Sequence, residues 1–270
     1  MATPLFLRNS LFPPLHHSFL SFPKSSFPSF PSSIKSRPLT STMMRGSEIT
    51  EEVSETKEAV NVDTKKKTIF VAGATGSTGK RVVEQVQADV TEGSAKLAEA
   101  IGEDSDAVIC ATGFRPGWDL FAPWKVDNFG TVNLVEACRK LGVNRFILIS
   151  SILVNGAAMG QVFNPAYIFL NVFGLTLIAK LQAEQYIRKS GINYTIIRPG
   201  GLRNDPPTGN VVMEPEDTLI EGSISRDQVA EVAVESLVHP ESCFKVVEIV
   251  SRTDAPKRSY KDLFGSIKLT

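Results

Sequence analysis

Apolar runs of strand length alternate with segments of helical periodicity from about residue 68 to the end of the chain. The strand-like runs lie at 68–72, 107–111, 145–150, 194–198 and 245–250. Helical segments are predicted at 130–141, at about 177–190 and from about 226. Because the strands are continuous Val/Ile-rich runs, they are predicted to be buried on both faces. The pattern predicts an α/β fold, with a doubly wound parallel sheet in a single domain.

Cap signals mark the ends of these helices. Gly142 and Gly191 each follow a predicted helix, at the position where a left-handed residue commonly ends one. Ser225 and Gln228 form a capping box at the start of the helix that begins at about 226. The local sequence alone therefore predicts one end of each of the three helices.

A glycine-rich stretch at 73–79, GATGSTG, joins the first strand to a helix-forming sequence. Gly73 suits a turn where a Cβ would clash, Gly76 lets backbone approach a pyrophosphate, and Gly79 lets the helix pack against the strand. The N–H groups of the first helical turn then face the anion. The stretch predicts a dinucleotide site of the Rossmann kind, whose candidate residues are Gly73, Thr75, Gly76, Ser77, Thr78 and Gly79.

Residues 1–47 differ in composition from everything that follows. They contain no Asp or Glu, five Lys/Arg, eleven Ser, seven Pro and six Phe, which is typical of an organelle transit peptide, and the Ser/Pro/Phe richness favours the plastid. The alternative is a disordered tail that carries no targeting signal. An acidic, solvated linker is predicted at 48–65, which leaves 66–270 for the Rossmann-like domain.

Charge balance and cysteine spacing argue against other classes of function. Beyond the leader, 24 Lys/Arg stand against 29 Asp/Glu, so the mature protein is mildly acidic and is not expected to bind nucleic acid. Cys110, Cys138 and Cys243 lie far apart with no CxxC pair. No metal site is therefore predicted, and each cysteine is expected to pack as a small apolar residue.

Four motifs follow one another along 68–270. They are GATGSTG at 73–79, NFGTVNLVEACRKLGV at 128–143, RFILISSILVNG at 145–156 and IIRPGGL at 196–202. In this order the chain resembles the short-chain dehydrogenase/reductases of the extended and atypical kind. It is most similar to plastid proteins related to the dehydrogenase-like subunit of the inner-envelope import machinery, and to NmrA-like and flavin/biliverdin reductase-like members. The resemblance implies a Rossmann domain that binds NAD(P).

The resemblance also implies catalytic positions. In the family a serine ends the fifth strand, and a Tyr-x-x-x-Lys follows on a helix, where the tyrosine transfers a proton and the lysine holds the nicotinamide ribose. Ser151 and Lys180 match the serine and the lysine, but residue 176 is a threonine. An aliphatic hydroxyl has a pKa far above the tyrosine value of ~10 and is a poor acid near neutrality. Ser151 and Lys180 are therefore the candidate catalytic residues; the alternative is a structural serine and a solvent-facing lysine.

The missing tyrosine limits the acceptors that the chain is expected to reduce. A flavin, a quinone or a tetrapyrrole takes its proton from solvent and needs no tyrosine, whereas an ordinary ketone does. For the cofactor, the resemblance implies that residues after two further strands contribute. It places Ala111, Thr112 and Gly113 beside a ribose, and Arg198, Pro199 and Gly200 near the nicotinamide amide.

No charged residue occurs from Phe146 to Ala179, and from Phe163 onwards this run is apolar on most sides of a predicted helix. Asn164-Pro165, Asn171 and Gly174 interrupt it, so no stretch reaches the ~20 residues of a membrane span. Three interpretations stay open. They are a core helix that also walls a pocket, a pocket for a lipophilic substrate, and peripheral docking on a plastid membrane or plastoglobule.

The stretch around Asp89 departs from the family pattern. By spacing alone, Asp89 is the acidic ribose ligand expected ~20 residues after the glycines. In the resemblance, Ala88-Asp89-Val90 is instead the end of the third family strand, where the aspartate approaches adenine, and about thirty residues with the second strand and second helix are absent. Either the Asp89 segment lies beside the first strand, or that edge stays unpaired. Both outcomes are expected to weaken cofactor binding.

Two functions follow from the sequence. The first is a plastid NAD(P)H-dependent oxidoreductase that acts on a small lipophilic or conjugated acceptor, with NADP as the expected cofactor and NAD as the alternative. The second is a non-catalytic NADP(H)-binding module that senses redox state or acts as a scaffold on a plastid membrane or complex. The chloroplast stroma is the expected location, with a membrane or plastoglobule contact in addition. The sequence leaves the oligomeric state open.

Overall fold

A computed structural model describes most of the domain. The described residues are 68–73, 76–82, 90–114, 119–172 and 174–268. The predictions made for the leader, the linker, Thr75 and Asp89 lie outside these ranges. They stay predictions here.

The described residues form strands and helices in alternation. The strands are β1 Ile69–Ala72, β2 Ala107–Cys110, β3 Arg145–Ile149, β4 Asn193–Pro199, β5 Gly201–Arg203, β6 Asn210–Pro215, β7 Ser223–Ser225 and β8 Lys245–Arg252. The helices are α1 Gly79–Val82, α2 Ser94–Ile101, α3 Thr131–Leu141, α4 Pro165–Val172, α5 Thr176–Lys189, α6 Arg226–Val238 and α7 Tyr260–Ser266. Short 3₁₀ turns occupy Val90–Glu92 and Pro240–Ser242, and a π-helix occupies Trp124–Gly130.

The main sheet has the order β1-β2-β3-β4-β8-β6. β1 to β4 and β8 run parallel, which confirms the predicted parallel sheet, and β6 pairs antiparallel with β8 at one edge. β5 and β7 form a separate parallel pair. The carboxyl ends of β1 to β4 therefore meet at one edge of the sheet, where an α/β fold binds its ligands.

Both faces of the sheet are buried. In β3, Phe146 and Leu148 face a core that also holds buried residues of α2, α3 and α5. Ile147 and Ile149 face the opposite core, which is closed by α6 and α7. The alternation of side chains along one strand thus serves two cores, as the continuous apolar runs predicted.

β1 is the other edge strand of the main sheet. Among the described residues it pairs with β2 alone. After α1, the next described element is the 3₁₀ turn Val90–Glu92. Asn133 Nδ2 donates to Val90 O at 3.2 Å, so this turn is fastened to α3. Because residues 83–89 are not described, the two outcomes predicted for the Asp89 segment stay predictions. The prediction that Val90 ends a strand is wrong, because Val90 begins the 3₁₀ turn.

The predicted caps are present. Gly142 ends α3 in the left-handed conformation, and Gly191 follows α5 with a φ of +80°. Ser225 precedes α6, and its Oγ accepts from Gln228 N at 3.1 Å. These ends form as predicted because each depends on a few adjacent residues.

The cysteines pack inside the domain, as predicted. Cys110 and Cys138 are buried, Cys243 is partly buried, and all three are free. Burial raises the pKa of the Cys110 thiol and raises that of Cys138 to about 12. Cys110 and Cys138 therefore stay protonated near neutral pH.

Candidate functional site

The glycine turn forms the first part of the site. Gly73 leaves β1 with a φ of +80°, and a Cβ there would lie 2.7 Å from the backbone of Ala111. Gly76 N donates to Gly73 O at 2.9 Å and closes the turn. The backbone therefore passes the end of β2 so closely that a side chain at Gly73 does not fit. Of the other predicted residues, Thr78 and Gly79 are buried and Ser77 is exposed.

Arg81 ties this turn to α6. Its Nε forms an ion pair with Asp227 in the first turn of α6, and its Nη1 donates to Ser77 O. Both contacts lie at the exposed surface of the protein. The Arg81 guanidinium therefore ties the turn to α6, and a ribose or its phosphate would have to compete with these partners.

The segment after β2 lies beside the glycine turn. Ala111 N donates to Ala72 O at 2.9 Å, so the pairing of the two strands continues to the start of the turn. Thr112 Oγ1 lies 3.2 Å from Cys110 Sγ, and Gly113 is exposed. The structure thus brings the predicted ribose residues 111–113 next to Gly73.

Lys180 and Asp127 form a buried ion pair. Lys180 Nζ lies 2.6 Å from Asp127 Oδ1; the aspartate side chain is fully buried, and that of the lysine is 16 % exposed. Burial disfavours the ammonium, but the carboxylate outweighs burial, and the pKa of Lys180 is raised above its ordinary value. The alternative of a solvent-facing lysine is therefore wrong. The ion pair holds a fixed positive charge at the site.

The π-helix places two polar side chains against α5. Asn128 Nδ2 donates to Ala179 O at 3.2 Å, directly before Lys180 in the chain. Phe114 N donates to Asp127 Oδ2 at 3.3 Å, which fixes the carboxylate from its other side. The extra residue in each turn of a π-helix re-aims side chains and is frequent at functional sites.

Sequence reasoning missed the roles of Asp127 and Asn128. A usable signal was present, because Asp127 stands four residues before Thr131 and seven before Leu134, on the face that the helix buries. A charged residue on the buried face of a helix needs a partner of opposite charge. That partner lies 53 positions away, at 180.

The residues after β3 and at the start of α5 complete this edge. Ser150 Oγ donates to Glu184 Oε1 at 2.5 Å, whereas Ser151 is partly exposed. Thr176, one helical turn before Lys180, is buried, and its Oγ1 has no hydrogen-bond partner among the described residues. The structure therefore places a hydroxyl, but no side-chain acid, where the family has its tyrosine.

We expect Thr176→Ala to keep any reductase activity within about tenfold of the parent, because a hydroxyl that is no acid lowers the barrier little. Lys180→Met combined with Asp127→Asn removes the charge without leaving a buried carboxylate, and we expect a larger loss, expressed mainly as a raised KM for the cofactor. Steady-state kinetics of the full chain measures both, with Lys189→Ala, exposed at the end of the same helix, as control. A thousandfold loss in Thr176→Ala would make the hydroxyl catalytic.

The side chain of Arg198 does not contribute to this edge of the sheet. The guanidinium is buried and donates to Glu184 Oε2 at 2.7 Å, to Asp217 Oδ1 at 2.7 Å and to Glu248 Oε1 at 3.3 Å. Burial opposes its charge, but these carboxylates raise its pKa above the ordinary value. A polar cavity of about 230 Å³ adjoins the cluster. The Arg198 side chain therefore joins β4, α5 and β8 rather than facing a nicotinamide.

Pro199 and Gly200 lie at the carboxyl end of β4, where the resemblance places them. Pro199 O accepts from Ile152 N at 3.1 Å, and Gly200 N donates to Ile249 O at 2.9 Å. A Cβ on Gly200 would lie 2.6 Å from Gly222 O. Their backbone is thus held rigidly at the same edge as Ser151.

An apolar surface lies between Ser151 and Lys180 in the chain. Its members are exposed large apolar side chains before, in and after α4: Val162, Phe163, Ile168, Phe169, Leu170, Val172 and Leu175. No described residue of α4 is buried, although Tyr167 packs against Gly156. A helix that is apolar on several sides is usually buried in a core or a membrane, so its exposure indicates a contact. The interpretation as a fully buried core helix is wrong.

No single helix in the described ranges is long and apolar enough to cross a membrane. Two consecutive helices, Pro165–Val172 and Thr176–Lys189, reach the required length together, but they are bent by 86°. The 20 or so residues of a straight span are not available in either helix.

A sequence profile described as NAD(P)H-binding matches residues 83–240. The chain belongs to this NAD(P)H-binding family. The matched range begins after the glycine turn and ends after α6. The predicted resemblance to atypical short-chain dehydrogenase/reductases is confirmed, together with the Rossmann fold.

Several relatives of this chain are chloroplast proteins. The chloroplastic protein At2g34460 of Arabidopsis thaliana is 62% identical over 298 positions and covers 99% of both chains. Protein TIC 62 of Pisum sativum, also chloroplastic, is 36% identical over 70% of this chain, which spans only 36% of the length of TIC 62. Sanguinarine reductase of Eschscholzia californica is 34% identical over 52% of this chain and 50% of its own.

The Arabidopsis protein At2g34460 contains a segment that this chain lacks. Their alignment runs over 298 positions, whereas this chain has 270 residues, so at least 28 residues of At2g34460 have no counterpart here. This agrees in size with the segment predicted to be absent.

A solved structure supports the fold of this NAD(P)H-binding chain. The oxidoreductase ylbE of Lactococcus lactis superposes with a TM-score of 0.60 at 27% identity, over 73% of this chain and 95% of that chain. The fit of a nicotinamide cofactor rests on the site itself. The tight turn at Gly73, which leaves no space for a Cβ, and the charged Lys180 both suit an anionic nucleotide with a ribose.

Proposed function

We propose that the chain is an NAD(P)H-dependent reductase that delivers a hydride to a lipophilic or conjugated acceptor, whose proton comes from solvent. The observation that carries the proposal is the buried pair of Lys180 and Asp127, which keeps a positive charge one helical turn after Thr176. This supports a role for Lys180 like that of the family's lysine, whereas residue 176 is a threonine and has no phenol.

The residues have separate parts in this proposal. The bound cofactor supplies the hydride. The glycine turn at 73–79 holds phosphate through backbone N–H groups, and Lys180 holds a ribose hydroxyl and stabilises negative charge that develops on the acceptor. Asp127 keeps Lys180 protonated and in place. The Thr176 side chain does not donate a proton. The reduced acceptor must therefore be an anion that is stable until water protonates it.

The acceptor class draws support from two sides. The apolar surface around α4 follows the segment that carries Ser151 in the chain and precedes α5, which carries Lys180, so an apolar substrate that binds it would contact elements next to the site residues. The relative named sanguinarine reductase is, by its name, a reductase. NADP is the proposed cofactor, with NAD as the alternative.

The proposed location is the plastid stroma. The chloroplastic relatives support the organelle, and the acid-free composition of residues 1–47 supports a transit peptide there. Contact with a membrane or plastoglobule is a proposal that the apolar surface supports.

A second candidate function rests on that surface. Phe163 is 88% exposed and Val172 is 62% exposed, and the chain carries no charge from 146 to 179. Such a helix can lie in the boundary between headgroups and acyl chains. We propose, as the alternative, a non-catalytic NADP(H)-binding module that docks on a plastid membrane or complex through this surface.

One experiment separates the two functions. The full chain is given NADPH or NADH with a panel of quinones, flavins and bilins, and with saturated ketones as control acceptors. We expect turnover of conjugated acceptors and none of ketones. Flotation with vesicles of plastid lipid composition is measured on the same sample, with the pair Phe163→Asp and Val172→Asp as the variant.

The outcomes assign the function as follows. Turnover of ketones at a similar rate would contradict the proton-from-solvent mechanism. Cofactor binding without turnover, together with flotation that the Asp pair abolishes, would support the docking module instead.

A further inference from the structure

The position of β1 decides how much of a dinucleotide this chain can hold. A doubly wound fold binds a dinucleotide across the point where strand order reverses, with strands on both sides of the first one. In the described residues every strand of the main sheet lies on one side of β1. The described part of the sheet can therefore support one half of a dinucleotide, the half that lies on the β2 side of β1.

Chain length gives the same result. Seven residues, 83–89, separate α1 from the 3₁₀ turn at Val90–Glu92. A parallel crossover with its helix takes about a dozen residues or more. After these seven residues the chain is fastened to α3, because a Cβ on Gly130 would lie 2.6 Å from Val90 Cγ2 and Asn133 holds Val90 O. No room remains for a further strand and helix beside β1.

Arg81, next to the turn, already has protein partners. It pairs with Asp227 and with Ser77 O, so a 2′-phosphate would have to compete with these two acceptors. Its side chain is 29 % exposed and the partner carboxylate is 46 % exposed. Among the described residues, no strand lies beyond β1 to support the part of a cofactor that would extend past it.

The other half of the site is complete. Residues 111–113 lie against Gly73, Ser151 follows β3, and Lys180 is held charged by Asp127. These groups stand at the carboxyl ends of strands on one side of β1. They are the groups that face the ribose and ring nearest to the reacting carbon in the proposed function.

We propose that this chain recognises a nicotinamide mononucleotide unit, and that the adenosine half of NAD(P)H adds little to binding. The inference rests on the nicotinamide cofactor of the proposed function and narrows it. A reduced nicotinamide mononucleotide, with one phosphate for the glycine turn and one ribose for Lys180, satisfies the whole of the described site.

Isothermal titration of the full chain tests this directly. The ligands are reduced nicotinamide mononucleotide, NADH, NADPH and ADP, which carries the adenosine half and the pyrophosphate alone. We expect the first three to have dissociation constants within about threefold of one another, and ADP to bind at least about tenfold more weakly. The Arabidopsis protein At2g34460 is the comparison, and there we expect NADPH to bind far more tightly than the mononucleotide.

A variant assigns the binding to the described residues. Lys180→Met with Asp127→Asn should weaken the mononucleotide about tenfold or more, since it removes a hydrogen bond to a charged group. The same variant should leave the binding of ADP unchanged, because ADP lacks the ribose that Lys180 holds. A melting scan of the variant without ligand shows whether the fold is kept.

The inference is overturned if ADP binds as tightly as NADPH, if NADPH binds far more tightly than the mononucleotide, or if the mononucleotide does not bind. Each result is read from binding alone. Mononucleotide binding without turnover of any acceptor would leave the inference in place and remove only the proposed reductase function.

Discussion

Replacing Arg198 by methionine is expected to lower the free energy of unfolding by about 3–5 kcal/mol, because it leaves buried carboxylates without their cation. Arg198 is 2% exposed, and its partners Glu184 and Glu248 are 1% and 0% exposed. Glu248 already has a raised pKa through burial, although backbone N–H groups and Arg198 act in the other direction. Removing the guanidinium takes away a charge that lowers the pKa of Glu248, so we expect that pKa to rise further.

Urea unfolding of the full chain at several pH values measures this. A carboxyl group whose pKa is raised in the folded state stabilises the fold only when protonated, so the deficit should be largest at neutral pH and should shrink as the pH falls. Arg188→Met is the matched control. That arginine pairs with Glu216 at 33 % exposure, and its loss should cost at most about 1 kcal/mol. An equal loss in both variants would contradict a special role for Arg198.

Inserting a second strand and helix, taken from a full-length relative, between Gln87 and Ala88 is expected to create tight NADPH binding. The insert adds a strand beyond β1 and so supplies a surface on which the adenosine half can bind. A ligand at a hundred times its dissociation constant adds ~2.7 kcal/mol to the free energy of unfolding. We expect the chain with the insert to gain this from NADPH, and the parent to gain much less at the same concentration.

Thermal melting with millimolar NADPH or NADH measures the gain. A Gly/Ser insert of equal length at the same place is the control and should give no gain. Micromolar binding of NADPH by the parent, with clear preference over NADH, would show that the chain as it stands already holds both halves of the cofactor.

Much of the fold could be predicted from the sequence, because the signals were local. Val/Ile runs predicted β2, β3, β4 and β8, and Ser225 predicted the start of α6. Gly142 and Gly191 take the left-handed conformations expected of them. Each of these features depends on a few neighbouring residues.

The rest of the fold depends on distant partners. β6 carries no strong pattern of its own and forms because it pairs with β8, which lies some thirty residues later in the chain. α2 is eight residues long and is held by the packing of Leu97 and Ile101 against the core. Short elements of this kind gain their stability from tertiary contacts that a local pattern does not contain.

The candidate site divides in the same way. The glycine turn and Lys180 could be found from motif spacing. The ion pair of Lys180 with Asp127 and the cluster around Arg198 could not, since their members lie 14 to 53 positions apart. The resemblance assigned Arg198 to the cofactor, and the fold uses its side chain elsewhere.

Glu248, on β8, holds in place the turn at 217–219, which lies about thirty residues earlier in the chain. Its carboxylate accepts from the backbone N–H groups of Asp217, Thr218 and Leu219 at 2.9, 3.1 and 2.6 Å. Asp217 in turn accepts from Asn155 Nδ2 at 2.6 Å, in the segment that follows β3. Changes on β8 therefore reach the segment that follows β3 in two hydrogen-bonded steps. Loss of the Glu248 carboxylate is expected to disturb the turn at 217–219 and Asn155 together.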